Sequence, residues 1–224
     1  MNIEIRNVCK SFGKKRVLEN VSFSAASGRC IGILGENGSG KSTLFGVLTG
    51  LRKGEGEFLC DGTDLMKNAK LRQVKVGFVP QSPPLLSELT AWDNLLLWYP
   101  RQALPQALES GNLHMLGVNE FVRVPVSKMS GGMKKRLAIG CAIAQNPPIL
   151  LLDEPTAALD LVCKEAIYSY LELFRAQGGI VVLATHDVHE LQLCDAVYVL
   201  KDGQLQPFEG ERTINRFIGC LKHD

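Results

Sequence analysis

Hydrophobic and polar residues alternate near the N-terminus, through Ile3, Glu4, Ile5 and Arg6, and this period of two predicts a half-buried strand over residues 3–8. After a turn at Phe12-Gly13-Lys14-Lys15, Val17–Ser24 predicts a second strand. Cys30–Leu34 differs, because it is an unbroken apolar run of the kind found in strands buried on both faces. It leads into a glycine-rich loop and then a helix from about Lys41 to Thr49, closed by Gly50. Further strands are predicted at Gly56–Cys60, Val76–Val79, Ile149–Leu152, Ile180–Ala184 and Ala196–Leu200, separated by helices or loops. Such alternation predicts an α/β core with a mostly parallel sheet. The opening strands and the Val197–Gly203 segment read as hairpins, so an antiparallel β portion is expected to flank it.

The stretch from about residue 82 to 145 has few strand signals. Thr90 can cap a helix whose apolar face holds Leu89, Trp92, Leu95 and Leu96, and Pro100 stops it. The expected organisation is a single domain over residues 1–224. Its α/β core comprises 1–81 and 146–224, with a helical subdomain inserted between. Repeats, low-complexity tracts and heptads are absent from the sequence.

Composition narrows the class. The 224 residues are 46% hydrophobic and 21% charged, ordinary for a soluble globular protein. A net charge of +2 is too small for a nucleic-acid footprint, so no direct nucleic-acid partner is expected. No apolar run nears the roughly 20 residues that span a bilayer, and the N-terminus lacks a signal-peptide core. The seven cysteines (Cys9, Cys30, Cys60, Cys141, Cys163, Cys194 and Cys220) are scattered, odd in number and never spaced C-x-x-C. They read as free thiols of a reducing cytosol rather than a disulfide framework or zinc site.

Three segments carry chemistry. Residues 35–43, GENGSGKST, fit the pattern G-x-x-x-x-G-K-[ST] between a strand and a helix, the context that this phosphate-binding loop requires. Gly35, Gly38 and Gly40, with Asn37 and Ser39 between them, let successive backbone N–H groups turn inward toward an anion. Lys41 can reach β- and γ-phosphates, the Ser42 hydroxyl can ligate Mg²⁺, and Thr43 completes the stretch. In the second segment, the apolar run Ile149–Leu152 ends in Asp153 and Glu154. Adjacent carboxylates there need a cation or water. Asp153 suits the surroundings of Mg²⁺ and Glu154 a base that polarises a water; alternatively the acids cap a helix over Thr156–Leu161. In the third, Ser130-Gly131-Gly132 opens a helix running to Ala144, ended by Asn146-Pro147-Pro148. Lys134, Lys135 and Arg136 crowd its first turns, where cations oppose the helix dipole. That points to a bound anion, or else to a solvated basic face behind an ordinary cap.

Taken together, these motifs resemble the ATP-binding cassette (ABC) ATPase family along nearly the whole chain. The resemblance places Walker A at 35–43, the Q-loop glutamine at Gln81, the signature at Met129–Met133, and Walker B at Ile149–Asp153 with Glu154 following. It makes Asp160 the D-loop aspartate and His186 the switch histidine. It also implies that Phe12 stacks on adenine, unless Phe12 is simply a core residue beside a turn. Gln81, with Ser42 and Asp153, would serve the Mg²⁺ site, and Gln81, Glu154 and His186 the hydrolysis. ATP would be sandwiched in a homo- or heterodimer, between one loop at 35–43 and Ser130, Gly131 and Gly132 of the second subunit. A separate transmembrane permease would be the partner, holding the chain at the cytoplasmic face of the membrane. Met133 and Met129 stand where the family usually has glutamine and leucine. His114, His189 and His223 match no motif and read as surface residues.

The expected function is therefore ATP-driven transport. The cluster Leu85, Leu86, Leu89, Trp92, Leu97, Trp98 and Tyr99 suggests a docking surface for the membrane partner, although part of it could pack internally. A non-transport ABC ATPase of a soluble assembly or repair system is the alternative. The absence of a regulatory C-terminal domain tilts the expectation weakly toward export.

Overall fold

A computed structural model describes residues 1–221, which form ten strands and nine α-helices. In chain order these are β1 (Asn2–Phe12), β2 (Lys15–Ala26), β3 (Cys30–Leu34), α1 (Lys41–Leu48), β4 (Glu55–Cys60), β5 (Thr63–Asp64), α2 (Ala69–Lys75) and β6 (Val76–Val79). Then follow α3 (Ala91–Leu95), α4 (Leu104–Glu109), α5 (Asn112–Met115), α6 (Gly131–Ala142), β7 (Ile149–Asp153), α7 (Leu161–Ala176) and β8 (Ile180–Ala184). The remainder is α8 (Val188–Leu193), β9 (Ala196–Lys201), β10 (Gln204–Pro207) and α9 (Ile214–Leu221).

Two sheets organise the chain. β2, β1, β4 and β5 form an antiparallel sheet, and β10-β9-β3-β8-β7-β6 form a six-stranded one that is parallel except for β10. The unbroken apolar runs of β3, β7 and β8 follow from burial on both faces. Ile31, Ile33, Ile149, Leu151, Ile180 and Val182 pack with α1 and the antiparallel sheet. Their alternates, among them Leu34, Leu150, Leu152, Val181 and Leu183, pack on the opposite side with residues of α6, α7 and α8. Successive side chains of a strand point to opposite faces, so one short segment serves both cores.

The predicted strands reappear with ends displaced by a few residues at most on the central sheet. The β9–β10 hairpin turns at Asp202 and Gly203, whose φ values of 49° and 79° are the left-handed pair of a tight hairpin. Between β6 and β7 the chain is helical. Thr90 caps α3 through a reciprocal box with Asp93, and the helix is only one turn long before the chain bends toward Pro100. Leu85, Trp92 and Tyr99 pack against the core, whereas Leu86, Leu89, Leu97 and Trp98 are exposed. No disulfide forms among the described residues; five cysteines are buried, Cys9 is half-buried and Cys220 exposed. His114 and His189 lie at the surface, and His223 lies outside the described residues.

Candidate functional site

The ends of parallel strands β3 and β7 deliver the chemistry. Beyond β3, Gly38 and Gly40 take φ of 85° and 112°, a conformation that side chains disfavour, and so turn the chain into α1. Gly35 is required for closeness: a Cβ there would collide with Ser39 and with the carbonyl of Leu200. The loop walls a cleft of about 390 Å³, where Asn37, Gly38, Gly40, Lys41, Ser42 and Thr43 meet Gln81, Asp153 and Glu154. The sequence places these three groups far apart; the parallel sheet brings them together.

Lys41 is buried, and its ammonium donates to the carbonyl oxygens of Gly35 at 2.5 Å and Glu36 at 3.1 Å. Burial lowers its pKa, opposed by the nearby Glu154 and Asp153 carboxylates. Asp153 is only 2% exposed, and burial raises its pKa while a hydrogen bond from Ser42 acts the other way. Glu154 takes a left-handed φ of 50° at the strand end, and its N–H donates to Ala184 of β8 at 2.8 Å. That bend aims its carboxylate at His186, whose Nδ1 lies 2.9 Å away. The His186 ring itself is well exposed.

The acids at 153 and 154 do not cap a helix over Thr156–Leu161. Instead α7 begins at Leu161, and Asp160 caps it by accepting from the Cys163 N–H at 2.8 Å. Ser130 likewise caps α6, its hydroxyl accepting from Met133 N–H at 3.2 Å. Gly131 is exposed, but Gly132 is buried where a Cβ would collide with the Cys163 sulfur, so close helix packing explains that glycine. Met133 packs partly against the core. Ser130, Gly131, Gly132, Asp160 and Phe12 line none of the cleft. Phe12 is 44% exposed and flanked by Lys10 and Arg52, whose charged groups lie 4.8 and 5.5 Å from its ring centre.

Of the three basic residues at the start of α6, two turn inward. Lys135 is buried and donates to the carbonyls of Pro80 and Gln81, while Arg136 donates to Leu116 and sits over Phe121. Two of the three cations thus serve internal carbonyls.

Residues 18–157 match the family described as ABC transporter. The chain belongs to the ABC transporter family. It is an ATP-binding cassette, the kind of subunit that hydrolyses ATP to power transport. Among curated members it is 37% identical over 231 residues to a Nod factor export ATP-binding protein I of Sinorhizobium fredii, covering 97% of this chain and 66% of that protein. A linearmycin resistance ATP-binding protein of Bacillus subtilis is 31% identical, covering 91% of this chain and 67% of that one. The chain therefore spans about two thirds of the length of these relatives. A nucleotide-free cassette from an ABC transporter superposes with a TM-score of 0.85 at 27% identity, covering 98% of this chain and 96% of that one. A dimeric cassette in a post-hydrolysis state, bound to ADP and Pi, gives 0.81 at 33%, covering 93% of this chain and all of that one. Among the described residues no helix is long and apolar enough to cross a membrane.

Proposed function

We propose that this cassette hydrolyses Mg²⁺-ATP in the Lys41 cleft and that closure of a two-cassette dimer drives a separate membrane permease. The reading rests on one observation above all: the Glu154–His186 pair stands at the edge of the cleft that holds Lys41, Ser42 and Asp153.

The loop N–H groups and the Lys41 ammonium bind the β- and γ-phosphates. Ser42 and Asp153 put two oxygen donors on the cleft, with Gln81 also lining it. This donor set fits Mg²⁺, which takes one or two protein oxygens beside phosphate oxygens and water. When bound, the ion would neutralise charge on the phosphates. Glu154 accepts a hydrogen bond from the attacking water and aligns it with the γ-phosphate. His186 holds that carboxylate in place through Nδ1 and presents its other nitrogen outward. Phe12, which is 44% exposed, stacks on adenine in place of one of its flanking cations.

Ser130, Gly131, Gly132 and Asp160 act across the dimer. The Ser130 hydroxyl accepts within its own helix and keeps its proton to donate to the γ-phosphate held by the second cassette. The permease docks on Leu86, Leu89, Leu97 and Trp98, which the core leaves exposed. The helical segment 82–145 acts as the subdomain that carries this surface, at the cytoplasmic face of the membrane. Export is the proposed direction, supported by the printed function of the rhizobial relatives.

The test is phosphate release by the purified chain with and without Mg²⁺. Lys41→Ala should lose ATP binding, and Glu154→Gln should bind ATP, dimerise and fail to turn over. Sustained turnover by Glu154→Gln would defeat the proposal.

A further inference from the structure

Behind the Glu154–His186 pair lies a carboxyl that the proposed hydrolysis does not use. Glu190, on the buried side of α8, is 1% exposed. Its Oε1 accepts a hydrogen bond from the Thr156 hydroxyl at 2.6 Å, and Thr156 is fully buried. Its Oε2 has no partner within hydrogen-bond distance. A buried polar atom left open is rare in native proteins and calls for a reason. Packing alone does not supply one, because a leucine would fill this helix position without the desolvation cost of a carboxyl.

The connections supply it. Thr156 follows Glu154 by two residues, within a turn bent at Glu154 and at Ala158, where φ is 50° and 59°. The Tyr168 hydroxyl, from α7, lies 3.3 Å from the Thr156 oxygen on the other side. On the neighbouring strand end, Thr185 directly precedes His186 and is fully buried. Thr185 accepts from the Asp187 N–H at 2.9 Å, and Asp187 in turn pairs with Lys164 of α7 at 2.6 Å. One carboxyl thus joins the turn after Glu154 to α8, the helix that begins two residues after His186.

We infer that Glu190 is a positioning residue that pins the turn after Glu154 to the helix that follows His186, keeping the two catalytic side chains in register. Burial raises its pKa, opposed by the hydrogen bond from Thr156, with Asp187 and Glu154 adding to the rise. A neutral carboxyl can accept from Thr156 with one oxygen and carry a proton on the other, so glutamine is a close mimic. The inference rests on Glu154 and His186 being the hydrolytic pair.

The test measures ATP turnover, KM for ATP and thermal unfolding of the full chain for Glu190→Leu, Glu190→Gln, Thr156→Val and the Glu190→Leu/Thr156→Val double variant. Glu154→Gln and His186→Ala are measured in parallel. Misplacing a reacting group by about an ångström costs on the order of 100-fold, so Glu190→Leu should lose roughly 10- to 100-fold in kcat with KM unchanged. Thr156→Val should show the same loss, and the double variant no more than either single, as expected for two ends of one link. Glu190→Gln should restore most of the turnover. Wild-type kcat in a folded Glu190→Leu, additive losses in the double variant, or a Glu190→Gln as slow as Glu190→Leu would each overturn the inference. If Glu190→Leu does not fold, Thr156→Val against Glu190→Gln decides the matter by the same criteria. Turnover surviving in Glu154→Gln and His186→Ala would instead reject the functional reading beneath it.

Discussion

The ammonium of Lys135 lies 3.2 Å from the carbonyl oxygen of Gln81 and 3.3 Å from that of Pro80. The helix opened by Ser130 is thereby tied to the segment that brings Gln81 to the cleft. Burial lowers the Lys135 pKa, while Asp153, Glu190 and Glu154 act in the opposite sense. A cation so placed adds positive potential beside the acidic end of β7 and holds the chain on which Gln81 rides.

Replacing Lys135 with Met separates the two effects. The variant removes a desolvated charge but also strips two carbonyls of their donor, and these terms offset. Stability in urea should therefore change by less than about 1 kcal/mol. ATP turnover should fall, because Gln81 loses its tether. Parallel urea melts and phosphate-release assays check this; full turnover with unchanged stability would show that the link is idle.

Glu190 carries a pH signature in stability. Its pKa is raised in the folded chain above the ordinary 4.5, so the folded state holds a proton that the unfolded state releases. Stability from this group is present below about pH 4.5 and is lost as pH rises toward the folded value. Glu190→Gln cannot lose that proton. Its melting temperature should gain on wild type as pH rises above 4.5, reaching a plateau beyond the folded pKa. Thermal scans across a pH series read the difference directly. A difference independent of pH would contradict a protonated Glu190.

The exposed apolar patch should be mutable without unfolding. Leu97 and Trp98 are 60% and 54% exposed, so Leu97→Asp or Trp98→Asp should shift stability by only about 0.5 kcal/mol. Leu95, fully buried two residues earlier, should not tolerate Asp, at a cost of roughly 3 kcal/mol or more. With the permease present, the two surface variants should uncouple transport while basal hydrolysis persists. Thermal scanning and reconstituted transport give both readings.

Thiol labelling should follow burial. Cys220 is exposed, whereas Cys141 is buried with its pKa pushed up to about 12. A thiol reagent at neutral pH should therefore modify native Cys220 rapidly and leave Cys141 untouched until denaturant is added. Mass spectrometry of partially labelled native chain tests the order.

The local features of this protein were determined by its sequence alone. The loop at 35–43, the strands at Cys30–Leu34, Val76–Val79 and Ile180–Ala184, and the Thr90 and Ser130 caps were legible because each depends on neighbours a few residues away. Alternation, glycine placement and capping chemistry are short-range signals. Tertiary structure decided which distant segments meet. Strand order β3-β8-β7 sets His186 against Glu154, and the family resemblance, not any periodicity, had marked that histidine. Lys135 looked like one of three surface or anion-facing cations, and only the packing of α6 against the end of β6 turns it onto carbonyls. Glu190 gave no sign at all, since a glutamate on a short helix reads as solvated. Its burial comes from where α8 lands between β3 and the turn after Glu154, a long-range arrangement that no local pattern encodes.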